Sequence, residues 1–136
     1  MIKQLTLINF EEVKHNMNNR YSINQLRQML SNNHYFNIGY FINNQLIGFV
    51  LTTLSDQIDI IWVYIHDKYL RQGYAFQLIT HLSKKFNRPI MVEVDKNNFK
   101  AINLYQKLEF KLVSIRKNYY GHKRDALIMK LNKKCS

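Results

Sequence analysis

The spacing of apolar residues changes abruptly in the middle of the chain and predicts a strand followed by a helix. Residues 60–65 are continuously apolar and rich in β-branched and aromatic side chains, which is typical of a strand covered on both faces. A polar turn follows at residues 66–68. From Ala75 to Phe86 the apolar residues recur at helical spacing along one face. We therefore predict a strand, a turn and a helix, with Gly73 at the start of the helix.

The remaining strand patterns extend this unit into a sheet. Runs of β-forming residues separated by the two-residue connections 43–44 and 55–56 predict an antiparallel meander, because these connections have the length of hairpin turns. The predicted strands are residues 4–8, 35–42, 45–54, 57–65, 90–95, 110–115 and 126–131.

Helix-start signals complete the predicted order of elements. Asn9 with Glu12, and Ser22 with Gln25, have the residue types of a capping box, so two short helices are expected before the meander. A last helix is expected after Asn98. Its apolar stripe consists of Ala101, Leu104, Tyr105 and Leu108.

The order β-α-α-β-β-β-α-β-α-β-β predicts an α/β (α+β) fold in which helices flank a mixed, mostly antiparallel sheet. The 136 residues show no repeat, linker or low-complexity segment. One domain spanning residues 1–136 is therefore the expectation for a chain of this length.

The net charge of the protein narrows the range of its expected binding partners. The formal net charge is +11, and residues 111–136 carry eight Lys or Arg against the single acid Asp125. A surface of this kind attracts polyanions, which indicates a ribonucleoprotein, RNA or a phosphorylated cofactor. A solvated basic face without a partner is the alternative interpretation.

The cysteine content and the hydropathy pattern indicate the cellular compartment of the protein. Cys135 is the only cysteine, which excludes an internal disulfide and favours a reducing environment. The longest apolar run, residues 60–65, is far shorter than the ~20 residues of a membrane-spanning helix. We expect a cytoplasmic protein without a membrane segment. The five histidines show no metal-ligand spacing, so no metal is expected.

The start of the central helix lacks the usual capping residues. None of the residues from Leu70 to Tyr74 is Ser, Thr, Asp or Asn, so no side chain of these types is available to bond the first helical amides. With Gly73 permitting close approach and Arg71 beside it, the helix start has the features of a phosphate site. A turn whose amides meet water is the alternative.

Two motifs flank the predicted strand 90–95 and carry a family resemblance. Residues 71–75 read Arg-Gln-Gly-Tyr-Ala, and residues 98–105 contain the spacing Asn-x-x-Ala-x-x-Leu-Tyr. Together with the order of elements, they resemble the GNAT superfamily of acetyl-coenzyme A dependent N-acetyltransferases. Residues 116–120 and 125–129 are similar to the subgroup that acetylates protein N-termini, in particular the ribosomal-protein-alanine acetyltransferases. This resemblance implies a GNAT-like fold and acetyl-CoA as cosubstrate.

The resemblance also implies which residues bind the coenzyme. Backbone groups of one strand would bind the pantetheine arm and could donate to the thioester oxygen, the loop before the central helix would bind the pyrophosphate, and one asparagine would contact the coenzyme further along. These residues are Val63, Tyr64 and Ile65; Arg71, Gln72, Gly73, Tyr74, Ala75 and Phe76; and Asn98.

Two residues are the catalytic candidates, Glu93 and Tyr105. Alternation along strand 90–95 places Glu93 opposite the apolar face, where an exposed or ion-paired glutamate would be the ordinary interpretation. Tyr105 lies on the apolar stripe of the last helix, where a core aromatic is the default. The resemblance implies that Glu93 is the base that deprotonates the amine and Tyr105 the acid that protonates the departing thiolate.

Two tyrosines are the candidate residues for binding the acceptor. Tyr119 and Tyr120 are expected in the connection between the last two strands, where they could close over a peptide or merely end a hairpin. The resemblance implies that the acceptor is a protein N-terminus, with a ribosomal protein as partner.

Two alternative functions remain open. One is an acetyltransferase for small amines. The other is a non-catalytic binding protein, suggested by departures from the family pattern at Leu70, Phe76 and Glu109.

Overall fold

The computed structural model describes residues 1–133, so Cys135 and the last lysine lie outside the described residues. Its helices and strands follow the predicted order. The strands are β1 (Ile2–Gln4), β2 (Ile38–Ile42), β3 (Gln45–Leu54), β4 (Ile58–Ile65), β5 (Ile90–Asp95), β6 (Lys111–Arg116) and β7 (Ala126–Leu131), and the helices are α1 (Phe10–His15), α2 (Ile23–Ser31), α3 (Tyr74–Lys85) and α4 (Phe99–Lys107).

The strands form one seven-stranded sheet in the order β1-β2-β3-β4-β5-β7-β6. All neighbouring strands are antiparallel except β4 and β5, which run parallel. A parallel pair needs a crossover connection, and α3 supplies it. The predicted fold class, a mixed and mostly antiparallel sheet with flanking helices, is confirmed.

Apolar residues cover both faces of the sheet because the side chains of each strand alternate between them. On one face α3 and α4 bury Leu78, Ile79, Leu82 and Tyr105 against the strands. On the other face α1 and α2 bury a second cluster, which includes Phe10, Val13, Leu26 and Met29. We call these the α3/α4 face and the α1/α2 face.

The N-terminal prediction was wrong in position. The expected strand at residues 4–8 is instead β1, which ends at Gln4, followed by a single 3₁₀ turn at Leu7–Asn9. The Thr6 side chain accepts a bond from the Ile8 amide, and the Asn9 side chain accepts one from the Thr6 amide. Because Asn9 completes a box with Thr6, it makes no side-chain cap for α1 and the predicted pairing with Glu12 is absent.

Other boundaries agree with the prediction or shift by a few residues. Ser22 and Gln25 form the predicted capping box at α2. β2 begins at Ile38 rather than at residue 35, because the buried Asn37 bonds through its side chain to the Met29 carbonyl and the Thr52 amide. No helix among residues 1–133 has both the length and the hydropathy needed to cross a bilayer.

Gly48 permits the close packing of β3 on β4. A Cβ at this position would lie 2.8 Å from the Tyr64 carbonyl oxygen, which is backbone and cannot rotate away. We expect Gly48→Ala to lower the free energy of unfolding by about 1–3 kcal/mol, the usual cost of overpacking. Gly39→Ala is the control, because its Cβ would meet only side chains, the nearest being Leu46 and Leu5. Urea unfolding should show the larger loss for Gly48→Ala; an equal loss would contradict this account.

Candidate active site

A gap in the sheet lies between the two parallel strands. β4 and β5 pair only through Ile58–Ile90, Asp59–Met91 and Ile60–Val92, although β4 continues to Ile65 and β5 to Asp95. The strands part at a bulge in β4, where Ile61 has no partner in β3 between the pairs Leu51–Trp62 and Thr52–Ile60. A bulge bends its strand and increases the local twist. Beyond Ile60 and Val92 the two strands no longer pair, which leaves a cleft between them.

The register of β4 determines which backbone groups face this cleft. The His66 amide donates to the Ile47 carbonyl at 2.8 Å, in register with the ladder between β3 and β4. Since hydrogen-bonded and non-hydrogen-bonded pairs alternate in an antiparallel ladder, the backbone of Tyr64 faces β3. The amides and carbonyls of Val63 and Ile65 face the cleft. Of the three residues predicted to bind a pantetheine arm through their backbone, the register favours these two.

The loop before α3 presents an uninterrupted row of free amides. Gly73 is the N-cap of α3, has φ of 84° and makes no side-chain capping bond. Among residues 1–133, no acceptor bonds the amides of residues 71–76, and the first bond of the helix runs from the Gln77 amide to the Gly73 carbonyl. Arg71 also has a positive φ, 63°. The predicted uncapped helix start is confirmed, and its amides can bind an anion.

The residues around this loop explain why its amides remain free. In the preceding turn, Asp67–Tyr69, the Lys68 amide donates to His66 Nδ1 and the Leu70 amide to the Asp67 carbonyl. The turn therefore satisfies its own donors before the loop begins. The Tyr74 ring then packs edge-on against Tyr40, with ring centroids 4.6 Å apart, and fixes the first turn of α3 on β2.

Glu93 lies beside the cleft on the α1/α2 face. In β5 Ile90, Val92 and Val94 are buried on the other face, so the predicted alternation is confirmed. The Glu93 carboxylate forms an ion pair with Arg116, with 3.1 Å between Glu93 Oε1 and Arg116 Nη1. It also lines a pocket of about 510 Å³, which we call the Glu93 pocket. Glu93 is therefore ion-paired, as the ordinary interpretation expects, and it also lies in a cleft.

Tyr119 and Tyr120 line the Glu93 pocket from the connection between β6 and β7. Burial raises the pKa of the Tyr120 hydroxyl, and the carboxylates of Glu93 and Asp95 raise it further. Arg124 holds this connection against β5, since its Nη2 atom lies 2.7 Å from Asp95 Oδ2. The structure thus brings together the predicted base and the two predicted substrate-binding tyrosines.

Tyr105 lies on the α3/α4 face. It is 3% exposed and packs against Phe110, with ring centroids 5.2 Å apart. Its hydroxyl bonds to no residue among 1–133, yet it is not among the buried side-chain atoms without a partner, so it retains contact with solvent. Burial of the ring raises the pKa of this phenol well above its usual range. The hydroxyl is therefore protonated at neutral pH.

Asn98 has a structural role in addition to its predicted one. Its side-chain oxygen accepts a bond of 3.2 Å from the Ala101 amide and caps α4. The other side-chain atom, the amide nitrogen, remains a donor. Coenzyme contact by Asn98 thus stays a prediction.

Several pocket residues could not be found from the sequence. Arg20 and Tyr21 come from the connection between α1 and α2, and Asp59 comes from β4. No local pattern marks them, because their positions depend on pairings between distant segments. Among residues 1–133, no group of His, Cys, Asp and Glu side chains is arranged to hold a metal ion.

Comparison with known sequences identifies related proteins. A sequence profile described as Acetyltransferase (GNAT) family matches residues 2–110. The chain is also similar to the ribosomal protein bS18-alanine N-acetyltransferase of Haemophilus ducreyi. The two are 31% identical over 106 residues, which cover 71% of this chain and 73% of that protein.

Comparison with solved structures identifies proteins of the same fold. The crystal structure of the ribosomal-protein-S18-alanine N-acetyltransferase from Escherichia coli superposes with a TM-score of 0.89 at 24% identity, covering 100% of this chain and 95% of that one. Arabidopsis thaliana NAA60 in complex with acetyl-CoA gives a TM-score of 0.82 at 16% identity, with 97% of each chain covered. At these identities the similarity concerns the fold.

Proposed function

Because this chain belongs to the GNAT family of acetyltransferases, we propose that it transfers the acetyl group of acetyl-CoA to the α-amine at the N-terminus of a protein, specifically the N-terminal alanine of a ribosomal protein. One observation carries the proposal. Strands β4 and β5 part next to Glu93, whose carboxylate lies on one face of the sheet, and Tyr105 lies on the opposite face. These are the base and the acid that acetyl transfer to an amine requires.

The residues of the loop suit the phosphates of acetyl-CoA, which is the cosubstrate in this family. Six consecutive amides, residues 71–76, have no acceptor among residues 1–133, and they lie at the positive end of α3. Apart from the adjoining backbone, no atom lies within 4 Å of the position that a Cβ at Gly73 would occupy, so the approach is open. The free backbone groups of Val63 and Ile65 would bind the pantetheine arm in the cleft.

Glu93 would prepare the acceptor. An α-ammonium has a pKa of about 7.7–8.0, so much of the amine is protonated at neutral pH and a carboxylate is a sufficient base. Glu93 takes one proton from the ammonium, directly or through water, so that the neutral amine can attack the acetyl carbon. The second proton leaves the nitrogen after the new bond has formed. Arg116 holds this carboxylate at the pocket until the acceptor enters.

Tyr105 would complete the transfer. The carbon–sulfur bond breaks once the carbon–nitrogen bond has formed, and the phenolic proton passes to the departing thiolate. The second proton of the nitrogen is released to solvent, and the phenolate regains a proton from solvent. Placing the acid and the base on opposite faces of the sheet separates the leaving group from the incoming amine. Direct attack needs no acyl-enzyme, so no nucleophilic side chain is required.

The loop gives a testable prediction about coenzyme binding. Gly73→Ala adds strain at φ of 84° and puts a methyl group where the anion would approach, so we expect the Kd for coenzyme A to rise about tenfold, equivalent to ~1.4 kcal/mol. Gly121→Ala is the matched control, because Gly121 also has a positive φ, 137°, and open space around it. Calorimetry should show weakened binding for Gly73→Ala only. Equal affinities in both variants would place the phosphates elsewhere.

The acceptor class is tested by direct competition. Peptides beginning with Ala, Ser or Met, a peptide with an internal Lys, an aminoglycoside and a polyamine are each incubated with acetyl-CoA. We expect mass spectrometry to show N-terminal acetylation with Ala preferred. Acetylation confined to lysine side chains or to small amines would overturn the proposed acceptor. No detectable acetyl-CoA binding would support the non-catalytic alternative.

We assign residues 1–136 to one catalytic domain acting in the cytoplasm, where ribosomal proteins are made. Eight basic residues in the segment 111–136 would favour approach to an RNA-bound substrate, since positive surface charge accelerates association with polyanions.

A further inference from the structure

A buried hydrogen-bond donor without a partner lies behind the wall of the Glu93 pocket. The indole N–H of Trp62 is sealed from solvent and bonds to no atom among residues 1–133. An unpaired buried donor destabilises the folded protein, because its lost hydration is not replaced, and such groups are rare. Within the described chain no other side-chain nitrogen or oxygen is in this state. The N–H therefore suits an acceptor that the free protein does not contain.

Arg20 covers this tryptophan. Its guanidinium carbon lies 4.4 Å from the centroid of the Trp62 ring and 6.0 Å from that of Tyr21. Arg20 follows Asn18 and Asn19, which both have positive φ, in the short connection between α1 and α2. Arg20 makes no ion pair among residues 1–133, so the contacts that hold it over the indole are weak.

Arg20 also belongs to the Glu93 pocket, which places the indole next to the path of the acceptor. Arg20, Glu93 and Ile61 line the same cavity. Ile61 is the unpaired bulge residue of β4, Trp62 directly follows it, and both side chains pack on the α1/α2 face. An acceptor that reaches Glu93 with its amine thus extends along the Arg20 wall.

We propose that Trp62 selects a peptide over a simple amine by donating its indole N–H to the first carbonyl oxygen of the acceptor once Arg20 is displaced. This inference rests on the proposed function, because it takes the Glu93 pocket as the acceptor site. In a peptide the carbonyl is one carbon away from the α-amine. An alkylamine or a polyamine has no such carbonyl, and it leaves the indole unpaired. Only the peptide gains this hydrogen bond, which favours it by about tenfold, the usual net effect of one hydrogen bond.

Trp62→Phe tests the proposal because it removes the N–H and keeps an aromatic ring under Arg20. For an Ala-initiated peptide we expect kcat/KM to fall about tenfold, mostly through KM, which is the usual effect of one lost hydrogen bond. For isopropylamine, which has no carbonyl, kcat/KM should stay at the wild-type value. A purely structural role for Trp62 would lower both values equally. The Tm of the variant, measured by circular dichroism, verifies that it folds.

A second measurement uses the wild-type protein. Trp62 is the only tryptophan, so intrinsic fluorescence reports on this position alone. We expect saturating Ala-initiated peptide to change the emission and isopropylamine to leave it unchanged. Unchanged emission, or an unaltered peptide-to-amine ratio in Trp62→Phe, would overturn this inference alone provided that the wild type acetylates peptides. A wild type that acetylates no peptide would overturn the proposed function as well.

Discussion

Glu93→Gln is expected to lower kcat by about 100- to 1,000-fold near pH 6 and considerably less near pH 9, the range of effects typical for removal of a general base. The pH dependence follows from the acceptor. An α-ammonium titrates at a pKa of about 7.7–8.0, so below that range the base must remove a proton from nearly every acceptor molecule. Above it most acceptors are already neutral. Initial rates with saturating acetyl-CoA and an Ala-initiated peptide, measured across this pH range, check the prediction.

Two variants separate catalysis from the ion pair. Glu11→Gln makes the same chemical change on an exposed glutamate in the first turn of α1 and should act as wild type. Arg116→Gln removes the partner of Glu93 but leaves the carboxylate, and an exposed pair of this kind contributes only ~0–1 kcal/mol to stability. If Arg116→Gln slowed turnover as much as Glu93→Gln, the ion pair rather than the base would be the important feature. Wild-type rates in Glu93→Gln would remove the base assignment altogether.

The parts of the fold that the sequence predicted are those in which local and long-range preferences agree. The apolar stripe of α3 and the alternation in β5 each correspond to buried side chains. At the N-terminus the local and the long-range preferences disagree. Leu7 and Ile8 look like strand residues by pattern, yet they are 50% and 92% exposed, because the capping box formed by Thr6 and Asn9 turns the chain away from the sheet.

The residues of the site could be predicted only where a single short segment of sequence contains all the residues that form the feature. The free amides before α3 follow from the missing capping residue and from Gly73. Arg20 and Trp62 lie 42 residues apart and meet only through the packing of the α1–α2 connection on β4, so no window of sequence contains their contact. The parting of β4 from β5 also depends on a bulge that is visible only in the register.

Tyr105→Phe is expected to lower kcat by about 100-fold at every pH, the size of effect usual for the loss of a general acid. Burial raises the pKa of Tyr105, so the phenol carries its proton throughout the working range. Its ionisation therefore contributes no fall in rate on the alkaline side, and the wild-type and variant pH profiles should run parallel. This distinguishes Tyr105 from Glu93, whose removal should change the shape of the profile.

Tyr105→Phe should leave the stability of the protein nearly unaffected. The Tyr105 hydroxyl has no hydrogen-bond partner among residues 1–133, so phenylalanine breaks no bond and retains the contact with Phe110. Tm and the Kd for coenzyme A should equal those of the wild type, and Tyr35→Phe, a change of a half-buried tyrosine on the α1/α2 face, serves as control. A variant that folds, binds coenzyme A and turns over at the wild-type rate would mean that water protonates the thiolate. Loss of rate with intact binding would instead place the proton donor on the α3/α4 side of the cleft, opposite the face from which Glu93 receives the acceptor.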